Sequence, residues 1–153
     1  MRVSAKTDYA LRAAVELAAA HGNGTPVKGE RLATTQSIPL RFLENILLQL
    51  RHAGIVESRR GADGGYKLAR PPEEITLADV IRAIDGPLAG VSGQRPETLD
   101  FKGTSEPLRD VWIAVRASLR GVLEGVTLAD VASGGLPDNV KALTDAPDAW
   151  VPH

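Results

Sequence analysis

The sequence predicts a mainly α fold carrying one small β-hairpin, on three observations. Apolar residues recur at helical spacing in several short segments; glycine, proline and short polar runs interrupt those segments; and one stretch, ESRRGADGGYKLARP from Glu57 to Pro71, sets three glycines between two short apolar runs. Helical periodicity and breaker residues together define helices of limited length, and clustered glycines between apolar runs define a hairpin.

Along the chain, the first helix is expected from about Thr7 to Ala20, with Ala10, Leu11, Ala14, Val15, Leu17 and Ala18 on one face. The HGNG run from His21 to Gly24 ends it, because glycine adopts the left-handed cap without a side-chain penalty. Thr25-Pro26-Val27 reads as one edge strand, and Lys28 to Thr34 as a brief helix carrying Leu32 and Ala33. A polar break at Thr35-Gln36-Ser37 follows. From Pro39, placed where a first helical turn tolerates proline, a helix runs to about Ala53, with Phe42, Leu43, Ile46, Leu47 and Leu50 as its core stripe and Gly54 as its stop. Helix, break and helix in this order form a helix-turn-helix unit. Ile55 to Ser58 and Tyr66 to Ala69 are strands flanking Arg59 to Gly65, where glycines 61, 64 and 65 permit positive φ at the turn. A hairpin directly after a helix-turn-helix is a wing, so the fold class expected is a winged helix-turn-helix domain followed by a long C-terminal helix.

Beyond Pro71-Pro72, Thr76 with Asp79 forms a short-chain capping box that opens a helix through Val80, Ile81 and Ile84 to Gly86-Pro87. The pentapeptide TLADV recurs at Thr127 to Val131 as a repeated capping signal in unrelated flanks. Ala89 to Ser105 is a loop rich in Gly, Ser, Pro and Thr. The segment from Glu106 to Glu124 is the longest periodic one, and Leu108, Val111, Trp112, Val115, Leu119, Val122 and Leu123 form a stripe wide enough that it is expected to pack against something rather than stay wet. The organisation expected is a DNA-binding unit over 1–72, an effector and dimerisation region over 73–133 with its long helix at about 106–124, and a flexible tail over 134–153.

Composition narrows the chemistry. With 153 residues and 43% hydrophobic content the chain can bury one sizeable core. It has no cysteine, which excludes disulfides, thiolate nucleophiles and cysteine-held metal centres. Arg12 and Glu16 interrupt the N-terminal apolar run, and no stretch approaches a membrane span, so a cytoplasmic protein without membrane contact is expected. Residues 1–70 hold eleven Lys/Arg against six Asp/Glu, a net +5, whereas residues 71–153 hold seven against thirteen, a net −6. A basic first half suits a part that approaches a polyanion. His21, His52 and His153 are scattered and read as surface residues; neither a nucleophile elbow nor a metal-binding H-E-x-x-H helix is present. The double proline after YKLA removes the helix that a phosphate-binding glycine loop would need. No enzyme is expected, and no catalytic residue or metal site.

The candidate interface is with double-stranded DNA. The helix from Pro39 to Ala53 would enter the major groove by its N-terminal turns. There Arg41 reaches phosphate or guanine, Glu44 accepts from a cytosine amine, and Asn45 pairs with adenine. Arg59, Arg60 and Lys67 would flank the minor groove or backbone. Lys28, Arg51, Gly64, Gly65 and Tyr66 complete the candidate DNA-binding set. An alternative from another class is a winged helix used as a protein-docking module, binding an enzyme of amino-acid metabolism with little DNA contact.

The runs KTDYALRAAVELA, FLENILLQLRHAGIVESRRGADGGYKLARPPEEITLADVIRAIDGP and LRDVWIAVRASLRGVLEGVTLADV resemble the Rrf-two family of bacterial winged-helix regulators, nearly to Val131. The resemblance implies a homodimer that swaps or crosses its long C-terminal helices, with the stripe from Glu106 to Glu124 as the dimerisation surface, binds a palindromic operator and usually represses. It also implies that Glu44 and Asn45 match recognition-helix residues and that Arg60 matches the wing arginine before the glycines. Cluster-binding relatives carry three cysteines in the loop that here is Ala89 to Ser105, and this loop has none. Asp8 falls where nitric-oxide-sensing relatives use an acidic cluster ligand, but one carboxylate without thiolates cannot hold an iron-sulfur cluster, and Asp8 reads instead as a residue favoured at a helix start. The expectation is a regulator of the cluster-free CymR type with no cofactor, controlled by a small-molecule effector or a partner enzyme.

Overall fold

The computed structural model describes residues 2–152; His153, the third of the scattered histidines, lies outside them. Helix α1 (Ala5–Ala19) is opened by Ser4, whose Oγ accepts the Thr7 backbone N–H at 3.0 Å, so the helix begins two residues before the expected Thr7. Asp8 stands in its first turn and pairs with Arg12 at 2.6 Å. Ala10, Ala13, Ala14 and Leu17 are buried, and α1 packs against the hairpin and four other helices. Alanines on this face let the neighbouring backbones come close. The left-handed Gly24 (φ 67°) closes a single turn at His21–Asn23 rather than α1 itself, which ends through right-handed Ala20.

Helices α2 (Gly29–Gln36) and α3 (Leu40–His52) are separated by Ser37, the one non-glycine residue of the turn with positive φ (54°), so the expected three-residue polar break contracts to one left-handed position. Pro39 is the residue before α3, not inside its first turn. α3 buries Leu43, Ile46, Leu47 and Leu50. Phe42, expected in that stripe, is 40% exposed: it sits at the stripe's margin in the first turn, and its ring meets Tyr9 of α1 edge-on at 5.7 Å instead of entering the core. After α3, Gly54 (φ 73°) donates to Arg51 O and Ile55 donates to Leu50 O, both at 3.0 Å. This is the Schellman arrangement, which satisfies two terminal carbonyls and turns the chain straight into the hairpin.

Strands β1 (Val56–Arg59) and β2 (Gly65–Leu68) pair antiparallel, with Val56 opposite Leu68 and Arg59 opposite Gly65. The expected edge strand at Thr25–Val27 is a single residue: Val27 exchanges two 2.8 Å backbone bonds with Tyr66. Pro26 has no N–H to extend the ladder, and α2 begins at Gly29.

Both capping boxes form, Thr76 with Asp79 opening α4 (Leu77–Asp85) and Thr127 with Asp130 opening α6 (Leu128–Ser133). The two caps lie back to back: Leu77 donates to Val126 O at 3.0 Å and Leu128 to Ile75 O at 2.9 Å. Ile75, Val80 and Leu128 join the cluster built around Ala10, Leu47 and Leu50, so the core runs without a break from the helix-turn-helix into the C-terminal part. Between α4 and α5 (Leu108–Leu123), the Ala89–Ser105 segment contains single helical turns at Pro96–Thr98 and Gly103–Ser105. Where a flexible tail is expected, the chain carries a further helix, α7 (Asp138–Thr144), and Trp150 Nε1 donates to Thr144 O at 2.7 Å. Among the described residues, no helix is long and apolar enough to cross a membrane.

Candidate nucleic-acid interface

While one face of α3 is locked into the core, Arg41, Glu44, Asn45 and Arg51 stand exposed on the other. Asn45 Oδ1 accepts from Gln49 Nε2 at 3.3 Å, one turn away, which leaves the Asn45 amide N–H groups free to donate. Neither Arg41 nor Glu44 forms an ion pair among the described residues. Leu48 is 41% exposed on the same face, so the surface offers cationic, acidic, amide and apolar groups together. That mixture is what reading base edges needs.

The wing is shaped by its glycines in two different ways. Gly61 (φ 103°) and Gly65 (φ 149°) adopt the backbone that side chains disfavour, as expected. Gly64 does not have positive φ; it is required for space, because a Cβ there would lie 2.2 Å from Arg59 O and 2.8 Å from the Arg60 carbonyl carbon. Lys28 Nζ donates to Ala62 O at 2.5 Å, tying the start of α2 to the wing tip. Lys67 pairs across the hairpin with Glu57 at 3.1 Å. Arg51 Nη1 donates to Ser58 Oγ at 3.0 Å, fixing the end of α3 against β1. Tyr66 is half-buried against the core beneath the wing.

The candidate set therefore divides by position. Gly64, Gly65 and Tyr66 build the wing, Lys28 and Arg51 brace it, and Lys67 has an intramolecular partner. Arg59 and Arg60 are exposed and form no ion pair among the described residues. With Arg41, Glu44 and Asn45 they are the groups most open to a partner.

Sequence reasoning missed Arg12. Its guanidinium lies 4.8 Å over the Tyr9 ring, donates to Gln36 O at 3.0 Å and holds Asp8, so it fastens the end of α2 to α1 directly behind the start of α3. Nothing in a periodic pattern marks a contact between residues 24 apart.

α5 supplies a second surface. None of its residues is fully buried; along the stripe Leu108 and Val111 are exposed, while Trp112, Val115, Leu119, Val122 and Leu123 are half-buried.

A family model described as Rrf2, iron-dependent transcriptional regulator, matches residues 3–134. The chain belongs to the Rrf2 family. A candidate HTH-type transcriptional regulator of Mycobacterium tuberculosis is 54% identical to it over 95% of this chain and 89% of its own length. The HTH-type transcriptional regulator CymR of Bacillus subtilis is 38% identical over 87% of this chain and 91% of its own. Among solved structures, that of CymR, the global cysteine regulator of B. subtilis, superposes with a TM-score of 0.75 at 36% identity, covering 88% of this chain and 98% of that one. IscR of T. potens superposes with a TM-score of 0.71 at 35% identity, covering 88% of each. This Rrf2 protein is thus a DNA-binding transcriptional regulator with a winged helix-turn-helix, and not an enzyme; the comparison favours that reading over the docking module.

The iron in the Rrf2 description does not fit this member's donors. The chain has no cysteine, and the described residues contain no group of three or more His, Asp or Glu placed to hold a metal ion. Asp8 is paired with Arg12.

Proposed function

We propose that this Rrf2 protein acts in the cytoplasm as a homodimeric repressor that reads a palindromic operator, with DNA binding controlled by a small molecule or a partner protein. One observation carries the reading: a helix anchored by four buried residues presents Arg41, Glu44 and Asn45 to solvent beside a wing whose Arg59 and Arg60 are exposed and form no ion pair among the described residues. Such a helix supplies base contacts and such a wing supplies phosphate contacts. Two copies pair through the α5 stripe, which sets the distance between their recognition helices, and a dimer bound over a promoter hides it from polymerase. That Rrf2 relatives include a global cysteine regulator supports a metabolic signal.

The test is selection of bound fragments from host genomic DNA, followed by titration of a recovered site at rising salt. Recovered sites should share an inverted repeat, and affinity should fall with a log–log slope of about −0.9 per phosphate neutralised. Fragments without a common repeat, or binding indifferent to salt, would count against the proposal.

A further inference from the structure

A cleft of about 370 Å³ opens between the C-terminal end of α4, α5 and the segment 86–97 that joins them. Four guanidinium groups line it: Arg82 from α4, Arg95 from the joining segment, and Arg116 and Arg120, one turn apart on α5. Two carboxylates pair with three of them. Glu97 pairs with Arg116, and Glu124 pairs with Arg82 and, at 3.7 Å, with Arg120. Arg95 has no ion-pair partner among the described residues. A guanidinium stays charged at any working pH, so this surplus of positive charge cannot be relieved by losing a proton. The Arg116 side chain is only 19% exposed, which makes water a poor substitute for a counter-charge. The Glu97 carboxyl is held below the usual carboxylate range, first by a hydrogen bond from its own backbone N–H and then by Arg116, so it stays ionised at neutral pH and competes for the site.

We infer that this cleft binds a small multivalent oxyanion, a metabolite carrying carboxylate or phosphate groups, and that it is the effector site of the regulator. Planar guanidinium forks converging from three segments match the paired oxygens of those groups. The polyanion that the wing meets is excluded by size, since the cleft holds a molecule and not a duplex. Occupancy would reach both surfaces described above. Arg116 and Arg120 share α5 with the pairing stripe, whereas Arg82 lies on α4, which packs against α1 and α3. An anion bridging them fixes the setting of α5 against the DNA-binding half.

The effector role rests on the proposed regulatory function; binding of the anion does not. Calorimetric titration of the full chain with citrate and with inorganic phosphate, each at ionic strength matched by sodium chloride, tests the binding directly. One site per chain is expected for at least one of the two, and which one binds separates carboxylate from phosphate recognition. Arg95→Gln and Arg116→Gln should each weaken it about ten-fold or more, the loss of a charge-assisted hydrogen bond. Arg95→Gln should melt like the wild type because no internal pair is broken. Glu97→Gln should tighten binding, since it removes the competing carboxylate, an outcome that a merely structural ion-pair network does not produce. No heat beyond the chloride reference for both anions, or unchanged affinity in both arginine variants, overturns the inference. Anion binding by a chain that recovers no genomic DNA would sink the effector role and leave the site; DNA binding without anion binding would sink the site and its effector role and leave the regulatory function standing.

Discussion

Arg41, Glu44 and Asn45 on one side, and Arg59 and Arg60 on the other, differ in what they can tell apart. A carboxylate repels phosphate and is useful only against a base donor, whereas an arginine at a hairpin tip meets a backbone common to all sequences. Glu44→Ala should therefore relax base preference with little loss of affinity, while Arg60→Ala should weaken every duplex and flatten the salt slope by about one; competition binding against site variants measures both. Gly64 is a different kind of residue. A methyl group there collides with backbone, not with a flexible side chain, so Gly64→Ala must deform the turn, at a cost of about 1–3 kcal/mol. Amide exchange across Arg59–Gly65 should accelerate while that of α1 and α3 stays near wild type. The glycine cluster was visible in the sequence as a turn, but the role of Gly64 was not, because the crowding comes from carbonyls four and five residues away once the hairpin has closed.

Helices were legible wherever local chemistry decides them. The α3 stripe apart from Phe42, the stop at Gly54 and both T-x-x-D boxes appear in the structure because each depends on neighbours within one turn. What escaped were the contacts that join elements: the lone bridge of Val27 to Tyr66, the Arg12 fastening of α2, the bonds from Ser4 and Thr7 to Asp85 at the end of α4, and the arginine cleft. Residues far apart in sequence leave no periodic trace. The back-to-back caps give a prediction at this scale. Thr76→Ala and Thr127→Ala should each cost about 1 kcal/mol, and because the two caps share the Leu77–Val126 and Leu128–Ile75 bonds, the double variant should depart from additivity by about 0.5 kcal/mol or more. Denaturant titration of the four proteins measures the coupling. For α5, Val111→Glu places a charge on a half-exposed apolar stripe; sedimentation should show the variant as monomer, with its helical signal unchanged.

Across the whole molecule, the charge split and the continuous core pull in complementary directions. The basic half can approach DNA while the acidic half stays away from it, yet one core spans both; α5 lies outside that core but packs on α4, which packs against α3, so α5 and α3 are joined through packed helices rather than across a linker. Pairing matters for the same reason: a single recognition helix reads too few base pairs to single out one site, and two held at a set distance read a repeat. The most direct measurement is the stoichiometry and footprint of the complex on a selected operator. Two chains per duplex, protecting half-sites whose centres lie about one helical turn or a whole multiple of it apart, is the predicted result; one chain on an asymmetric site, with α3 and the wing still accessible to labelling, would contradict it.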